Sequence, residues 1–260
     1  MEHVTSNDGT TLAYDKLGSG PAVILVCGGS VDRQSNAGLA EVLAPHFTVY
    51  NYDRRGRGDS GDNAEYAVAR EIEDIAAMAA AAGGTAFLYG TSSGAALALH
   101  AAAALPTTIT KLALWESPYI VEGSRPYPDP NTAQIFRDFV AQGQRGEAAE
   151  YFMTQVVGLP PEFAAFARTQ PWWAQQEAIA HTLAYDAEVM GDYHFPTELA
   201  ASITVPTLVL VGSATFPFLL ATAEKMAAAI PGAAYQILPD QQHNVDPNVI
   251  GPALAAFFES

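Results

Sequence analysis

The sequence predicts an α/β fold in which a mostly parallel central sheet is flanked by helices and interrupted by an inserted helical lid. Short apolar runs alternate with helix-like segments, an order typical of the units that build a parallel sheet. The runs are apolar at nearly every position, as expected of strands that are covered on both faces. They are AVILV at 22–26, FTVYNYD at 47–53, AFLYG at 86–90, KLALWE at 111–116, TLVLVG at 207–212 and AYQILP at 234–239.

The chain opens with a predicted β-hairpin, and helices follow in the order that the alternation requires. Two β-prone runs, HVTS and TTLAYDKL, flank the tripeptide NDG at 7–9, whose residue types tolerate tight-turn backbone angles. A first helix is predicted over 67–82, where a pair of glycines ends it. A second helix begins just after Ser92 and ends before Pro106.

The stretch 117–204 is predicted to be a helical lid, so that 1–116 and 205–260 together form the core domain. A crossover between parallel strands needs only about a dozen residues, and this stretch is far longer. It has helical patterns of its own, separated by glycine and proline. The patterns lie at 131–143, 146–157, 161–168 and 171–190.

Length and composition indicate one globular domain with a sizeable core. The chain has 260 residues, of which 49% are hydrophobic and 15% charged. A formal net charge of −16 argues against nucleic acid and anionic membranes as partners. No apolar run reaches membrane-spanning length, and the single cysteine, Cys27, can build neither an intrachain disulfide nor a thiolate metal site. We therefore expect a soluble, cytoplasmic protein without a metal centre.

The strongest motif for chemistry is a nucleophile elbow at Ser92. An apolar strand runs directly into Gly90-Thr91-Ser92-Ser93-Gly94, and a helix follows. The pattern Gly-x-Ser-x-Gly is weak alone, but a strand before it and a helix after it predict a sharp turn that exposes the serine hydroxyl. Ser92 is therefore the predicted nucleophile.

A serine hydroxyl needs a base to take its proton, and histidine suits that task near neutral pH. Five of the six histidines lie in the hairpin, before a strand, within a helix or in the lid. Only His243 follows the last predicted strand, in the loop LPDQQHNVDP. His243 is therefore the predicted general base.

Three segments together resemble the α/β-hydrolase superfamily of serine esterases and lactonases: YDRRGRGDSG at 52–61, GTSSG at 90–94 and QQHNVDP at 241–247. The resemblance spans almost the whole chain outside the lid. It implies the α/β-hydrolase fold, with nucleophile, acid and histidine in that order along the chain. It also implies that Asp53 and Arg54 shape a loop and take no part in the reaction.

The predicted acid of the triad is Glu116, and Asp186 in the lid is the alternative. Many members of the superfamily carry the acid after the strand that follows the lid, but this chain reads VGSATFP there, at 211–217, without a carboxylate. Glu116 ends the strand expected beside that of Ser92, where its carboxylate can orient and polarise His243. The elbow, this glutamate and the acid-free turn are also similar to the zearalenone lactonase type, whose acid occupies the earlier position.

Two backbone N–H groups are needed to bind the oxygen that becomes negative during acyl transfer. One is expected from Ser93, the residue after the nucleophile, and the other from the glycine-rich loop that follows the run at 22–26. Gly29 is the predicted second donor, with Ser30 as the alternative. Cys27, in the same loop, is expected to be a small packing residue.

These residues predict hydrolysis of a small-molecule carboxylic ester or lactone through an acyl-enzyme, without a cofactor. Similar triads also cleave C–C bonds or pass acyl groups to acceptors other than water, and a ligand-binding protein without activity is a further alternative. The aromatic side chains of the lid favour an apolar acyl group or a lactone ring. Substrate contacts are predicted at Trp172, Trp173, Tyr119 and His181.

Overall fold

The computed structural model describes residues 1–260, and its framework is a single eight-stranded sheet. The strands are β1 Glu2–Thr5, β2 Thr11–Gly18, β3 Ala22–Val26, β4 Thr48–Tyr52, β5 Ala86–Thr91, β6 Ile109–Trp115, β7 Thr207–Gly212 and β8 Ala234–Leu238. Their order across the sheet is β1-β2-β4-β3-β5-β6-β7-β8. All six predicted apolar runs form strands, and the opening hairpin is present as β1 and β2.

The sheet is parallel except at one edge, which confirms the predicted α/β-hydrolase architecture. β1 pairs with β2 and β2 with β4 in antiparallel register, whereas every other neighbouring pair is parallel. Gly9 closes the hairpin with φ of +87°, a backbone angle that glycine adopts at little cost. The carboxyl ends of the parallel strands therefore face one side of the molecule, where such sheets bind ligands.

Helices cover both faces of the sheet. Those of the core are α1 Ala37–Leu43, α2 Val68–Ala81, α3 Ser93–Ala104, α10 Pro217–Ala229 and α11 Pro247–Glu259. Successive residues of β3 point to opposite faces: Val23 and Leu25 pack in a cluster with α1 and α11, and Ile24 and Val26 in a larger one with α2 and α3. This burial on both faces explains why the parallel strands are apolar throughout. No helix combines the length and the apolar character needed to cross a bilayer.

The segment between β6 and β7 is helical and extends over the carboxyl edge of the sheet. It contains α4 Thr132–Ala141, α5 Arg145–Tyr151, α6 Pro161–Ala167, α7 Trp173–Ala178, α8 Leu183–Met190 and α9 Thr197–Ala201. A π-helical segment, Phe152–Val157, continues α5, and a short 3₁₀ turn, Ala180–Thr182, separates α7 from α8. The single helix predicted over 171–190 is therefore two helices.

Candidate active site

Ser92 lies at the sharp turn between β5 and α3, as the elbow motif predicts. Its φ of 56° is in the left-handed region, which a non-glycine residue adopts only when its surroundings impose it. The glycines on either side allow this turn, because a Cβ added to Gly90 would lie 2.3 Å from the Gly94 carbonyl oxygen. A Cβ added to Gly94 would lie 2.4 Å from the carbonyl oxygen of Cys27. The Ser92 N–H donates to the carbonyl of Trp115 at 2.9 Å, which ties the turn to β6.

Glu116 and His243 are in direct contact. His243 Nδ1 lies 2.6 Å from Glu116 Oε2. The Glu116 carboxylate is fully buried and also accepts the Gly212 N–H at 2.9 Å and the Thr215 hydroxyl at 3.0 Å. The last residue of β7 and the turn after it, which lack a carboxylate of their own, thus supply two hydrogen bonds to the carboxylate that follows β6. These bonds hold the side chain of Glu116 in one orientation toward the histidine.

The loop that carries His243 packs against the ends of β6 and β7. The indole N–H of Trp115 donates to the His243 carbonyl at 3.0 Å, and this indole is fully buried. A Cβ added to Gly212 would lie 2.1 Å from the carbonyl oxygen of Gln241, so only glycine permits the close approach of this loop to β7. The imidazole remains about one-third exposed and lines the same cavity as Ser92.

The two predicted oxyanion donors lie on the wall of that cavity. Gly29 and Ser93 both line it, and the N–H of Ser93, the first residue of α3, has no acceptor within its helix. Ser30 is outside the cavity, and the amide of Gln176 in the lid hydrogen-bonds both its hydroxyl and its carbonyl. The position of Gly29 on the cavity wall favours it over Ser30. Cys27 is fully buried, and burial raises the pKa of its thiol.

Asp186, the alternative acid, forms a buried ion cluster and has no contact with His243. Its Oδ1 accepts from Arg54, from Arg57 and from the Ser93 hydroxyl, each at 2.8 Å. Burial alone would raise the pKa of this carboxyl, but Arg57 and Arg54 more than offset burial and hold the pKa below its usual range. The cluster joins α8 of the lid to the loop after β4.

The motif at 52–61 organises this loop through buried ion pairs. Asp53 accepts the N–H groups of Arg33 and Asp59, each at 2.8 Å. Arg54 donates to both oxygens of Glu71 in α2, at 2.6 and 2.7 Å. Neither Asp53 nor Arg54 lines the cavity, in keeping with the loop-shaping role that the resemblance implies.

The cavity contains about 690 Å³ of space between atoms, part of it open to solvent, and its wall is mainly apolar. The lid and the start of α10 supply most of the wall, through residues outside the predicted substrate contacts. Beyond Gly29, Ser92, Ser93, Asp186 and His243 they are Pro118, Ile120, Arg125, Pro128, Phe136, Phe152, Val156, Val157, Leu183, Ala187, Met190, Tyr193, Phe216, Phe218 and Leu219. No group of three or more His, Cys, Asp or Glu side chains is arranged to hold a metal ion.

The four predicted substrate contacts all lie outside this cavity. Trp172 is 41% exposed on the outer surface of the lid, and Trp173 is buried within the lid, where its indole donates to Glu177. Tyr119 is buried in the main core, and His181 faces Asp62 at 3.4 Å. Aromatic spacing along a helix indicates burial, but it does not tell which surface the side chain packs against.

Comparisons with known proteins agree with this architecture. A pimeloyl-[acyl-carrier protein] methyl ester esterase of Xanthomonas campestris is 31% identical over 147 residues, which are 55% of this chain and 56% of that protein. The aligned region is thus about half the length of such curated relatives. The crystal structure of an α/β hydrolase from Sphaerobacter thermophilus is 51% identical, with a TM-score of 0.93 over 99% of this chain and 100% of that one.

A second solved structure, that of a thermophilic esterase from Thermogutta terrifontis, is 25% identical and has a TM-score of 0.76. The similarity covers 99% of this chain and 97% of the esterase. The pattern of the alpha/beta hydrolase family matches residues 23–249, which include the elbow, Glu116 and His243. With this match over most of its length, the chain belongs to the α/β hydrolase family.

Proposed function

We propose that the protein is a serine hydrolase that cleaves a carboxylic ester or lactone through an acyl-enzyme intermediate. The observation that carries the proposal is the 2.6 Å contact between His243 and the buried Glu116, on a histidine that shares a cavity with Ser92. A carboxylate on one ring nitrogen fixes the tautomer that leaves the other nitrogen free to accept a proton. Ser92, at a strained turn, supplies that proton from an exposed hydroxyl.

In the proposed reaction, Ser92 Oγ attacks the carbonyl carbon while His243 takes the hydroxyl proton. The oxygen that becomes negative accepts hydrogen bonds from the N–H groups of Gly29 and Ser93. The tetrahedral intermediate then collapses, and the leaving alkoxide departs as an alcohol with the proton held by His243. Water, deprotonated by the same histidine, attacks the acyl-enzyme. The bond between the acyl carbon and Ser92 Oγ then breaks, which releases the acid while Oγ takes the proton back from His243. Glu116 keeps its hydrogen bond to the ring throughout and stabilises the imidazolium.

The family and the cavity support an ester as the substrate class. The names of the Xanthomonas and Thermogutta proteins describe esterases, and the apolar wall suits the acyl group of a small molecule. We also place the protein in the cytoplasm, whose reducing environment keeps a free thiol such as that of Cys27 reduced.

The test is labelling with an alkyl fluorophosphonate, followed by peptide mapping and assays on short-chain esters and lactones. We expect the label on Ser92, and loss of both labelling and turnover in Ser92→Ala with the fold intact. Ser202→Ala, which removes an exposed hydroxyl outside the cavity, serves as the matched control and should retain both. Turnover by Ser92→Ala, or a label on another residue, would contradict the assignment. Product analysis distinguishes hydrolysis from C–C cleavage and acyl transfer.

A further inference from the structure

Arg125 places an unpaired cation on the wall of the catalytic cavity. Its guanidinium donates to the carbonyl oxygens of Val156 and Val157, at 3.0 and 3.2 Å, and stacks 4.7 Å from the ring centre of Phe218. No carboxylate lies within ion-pair distance of it, whereas most arginines of the chain have such a partner. A guanidinium has five N–H donors, so further donors remain available after these two bonds.

Tyr193 provides a second unpaired donor on the same wall. The residue is 6% exposed, and no other group of the protein hydrogen-bonds its hydroxyl, which is not among the fully enclosed unpaired polar atoms. Burial raises the pKa of this phenol, so the group is a neutral donor under all ordinary conditions. The backbone of Tyr193 is held at φ of 63°, and its carbonyl accepts the Ile120 N–H at 2.8 Å. A bulky residue keeps such an angle only where its surroundings impose it, often at ligand sites.

The rest of the wall offers Arg125 no counter-charge. Asp186, the one aspartate on the wall, is already paired with Arg54 and Arg57. Most of the other wall residues are apolar, so the half-buried guanidinium has lost part of its hydration without gaining an anion. With a net charge of −16, the protein as a whole repels anions, and this cation therefore acts locally.

We infer that the Arg125 guanidinium and the Tyr193 hydroxyl bind a carboxylate of the substrate. The preferred substrate is then an ester or lactone that carries a second, ionised carboxyl group, such as the monoester of a dicarboxylic acid. This inference rests on the proposed function and narrows its substrate class. A paired guanidinium and carboxylate form a strong, oriented contact, which would hold the ester group against Ser92 while the acyl chain fills the apolar space.

The experiment compares monomethyl with dimethyl esters of succinate, glutarate and adipate, and measures the ratio of kcat/KM for the charged ester to that for its neutral partner. We expect Arg125→Gln to lower this ratio about ten- to a hundredfold, because a hydrogen bond to a charged group is lost. Arg125→Lys should restore part of it, and Tyr193→Phe should lower it by a smaller factor. Arg145 also donates to two carbonyl oxygens of the lid but lies outside the cavity, so Arg145→Gln should leave the ratio unchanged.

The outcomes separate this inference from the proposed function. If Arg125→Gln lowers kcat/KM for charged and neutral esters equally, Arg125 only supports the lid; the carboxylate subsite is then overturned while the esterase stands. The subsite is also overturned if the ratio of kcat/KM for charged to neutral esters is equal in the wild type and Arg125→Gln at every chain length. If the folded wild-type protein hydrolyses none of the esters and resists the fluorophosphonate, both the function and the subsite are wrong.

Discussion

Glu116, Ser92 and Tyr193 share a rare backbone state, with φ of 49°, 56° and 63°. Only five non-glycine residues of the chain have positive φ, and these three serve or line one cavity. Each such residue costs on the order of 1–3 kcal/mol, and it persists because neighbouring contacts impose it. For Glu116 the backbone N–H donates to the Leu210 carbonyl at 3.2 Å, and the carboxylate accepts the Gly212 N–H and the Thr215 hydroxyl. Conformational strain is thus concentrated at the residues to which we assign chemistry and binding.

Replacing Glu116 by Gln should keep its shape while removing the charge that stabilises the imidazolium. We expect kcat for a neutral ester to fall by orders of magnitude, up to about ten-thousand-fold, with an unfolding midpoint close to that of the wild type. Thr215→Val removes one hydrogen bond to the same carboxylate and should cost much less. Asp186→Asn should also retain far more activity per folded molecule than Glu116→Gln. The reverse order of Asp186→Asn and Glu116→Gln would show that the lid supplies the acid.

At the scale of elements, the packing of α3 against β3 and β5 positions both Ser92, the proposed nucleophile, and the loop of Gly29, the proposed oxyanion donor. We expect Gly94→Ala to destabilise the protein by about 1–3 kcal/mol, since its Cβ would collide with the Cys27 carbonyl and displace the loop that carries Gly29. Urea unfolding measures the loss of stability, and the rate of fluorophosphonate labelling measures the displacement of the Gly29 loop. Gly61→Ala is the matched control, because its nearest new contact is 3.4 Å away. Equal behaviour of the two variants would refute this account.

The lid should select substrates through its inner side chains. Phe152 and Val156 lie in the π-helical segment and line the cavity, so Phe152→Ala or Val156→Ala enlarges it. We expect the relative kcat/KM among acyl chain lengths to shift toward longer chains by about tenfold or more. Trp172→Ala trims the outer surface instead and should leave that preference unchanged. A change of preference in Trp172→Ala alone would point to a binding surface other than this cavity.

For the whole molecule, the ion cluster of Asp186 with Arg54 and Arg57 is a buried link between lid and core. The pKa of Asp186 is lowered in the folded state, so its stabilisation is present above the unfolded value of about 4 and is lost as pH falls through the lower folded value. Asp186→Asn should cost about 3 kcal/mol at neutral pH. That difference from the wild type should shrink on acidification below about pH 4, as measured by urea unfolding.

Asp192→Asn is the control for this measurement. Asp192 is an exposed aspartate of the lid outside the ion cluster, so the variant makes the same substitution without affecting the cluster. If the difference in free energy of unfolding between wild type and Asp186→Asn instead stays constant or widens as pH falls, the carboxylate of Asp186 contributes no stabilising charge.

The framework could be predicted from sequence because its signals are local. Apolar runs define the buried strands, and Ser92 was predicted from a motif confined to one turn between a strand and a helix. Glu116 needed a wider argument, which combined an absent carboxylate after β7 with the expected adjacency of β5 and β6. The 2.6 Å contact with His243 accords with that argument, and the catalytic role itself stays a prediction.

The cavity wall could not be predicted, because it depends on how the lid helices pack against one another. Trp173 and Phe136 are both aromatic, helical and buried, yet only Phe136 lines the cavity. No glycine or proline lies at the break between α7 and α8, so the sequence gives no sign of it. Tertiary contacts override the helical pattern there. The role proposed for Arg125 could not be predicted either, because its lack of a carboxylate partner is a property of the folded chain alone.

The indole of Trp115 is an intrinsic fluorescence probe of the loop that carries His243. Of the three tryptophans, Trp115 alone touches the histidine loop, through its hydrogen bond to the His243 carbonyl. Replacing Trp172 and Trp173 by Phe leaves Trp115 as the one tryptophan, enclosed in an apolar core and bonded to the loop of His243, the proposed general base. Any opening of that loop breaks the bond and alters the environment of the ring, so the emission spectrum of an unlabelled sample would follow the loop during turnover.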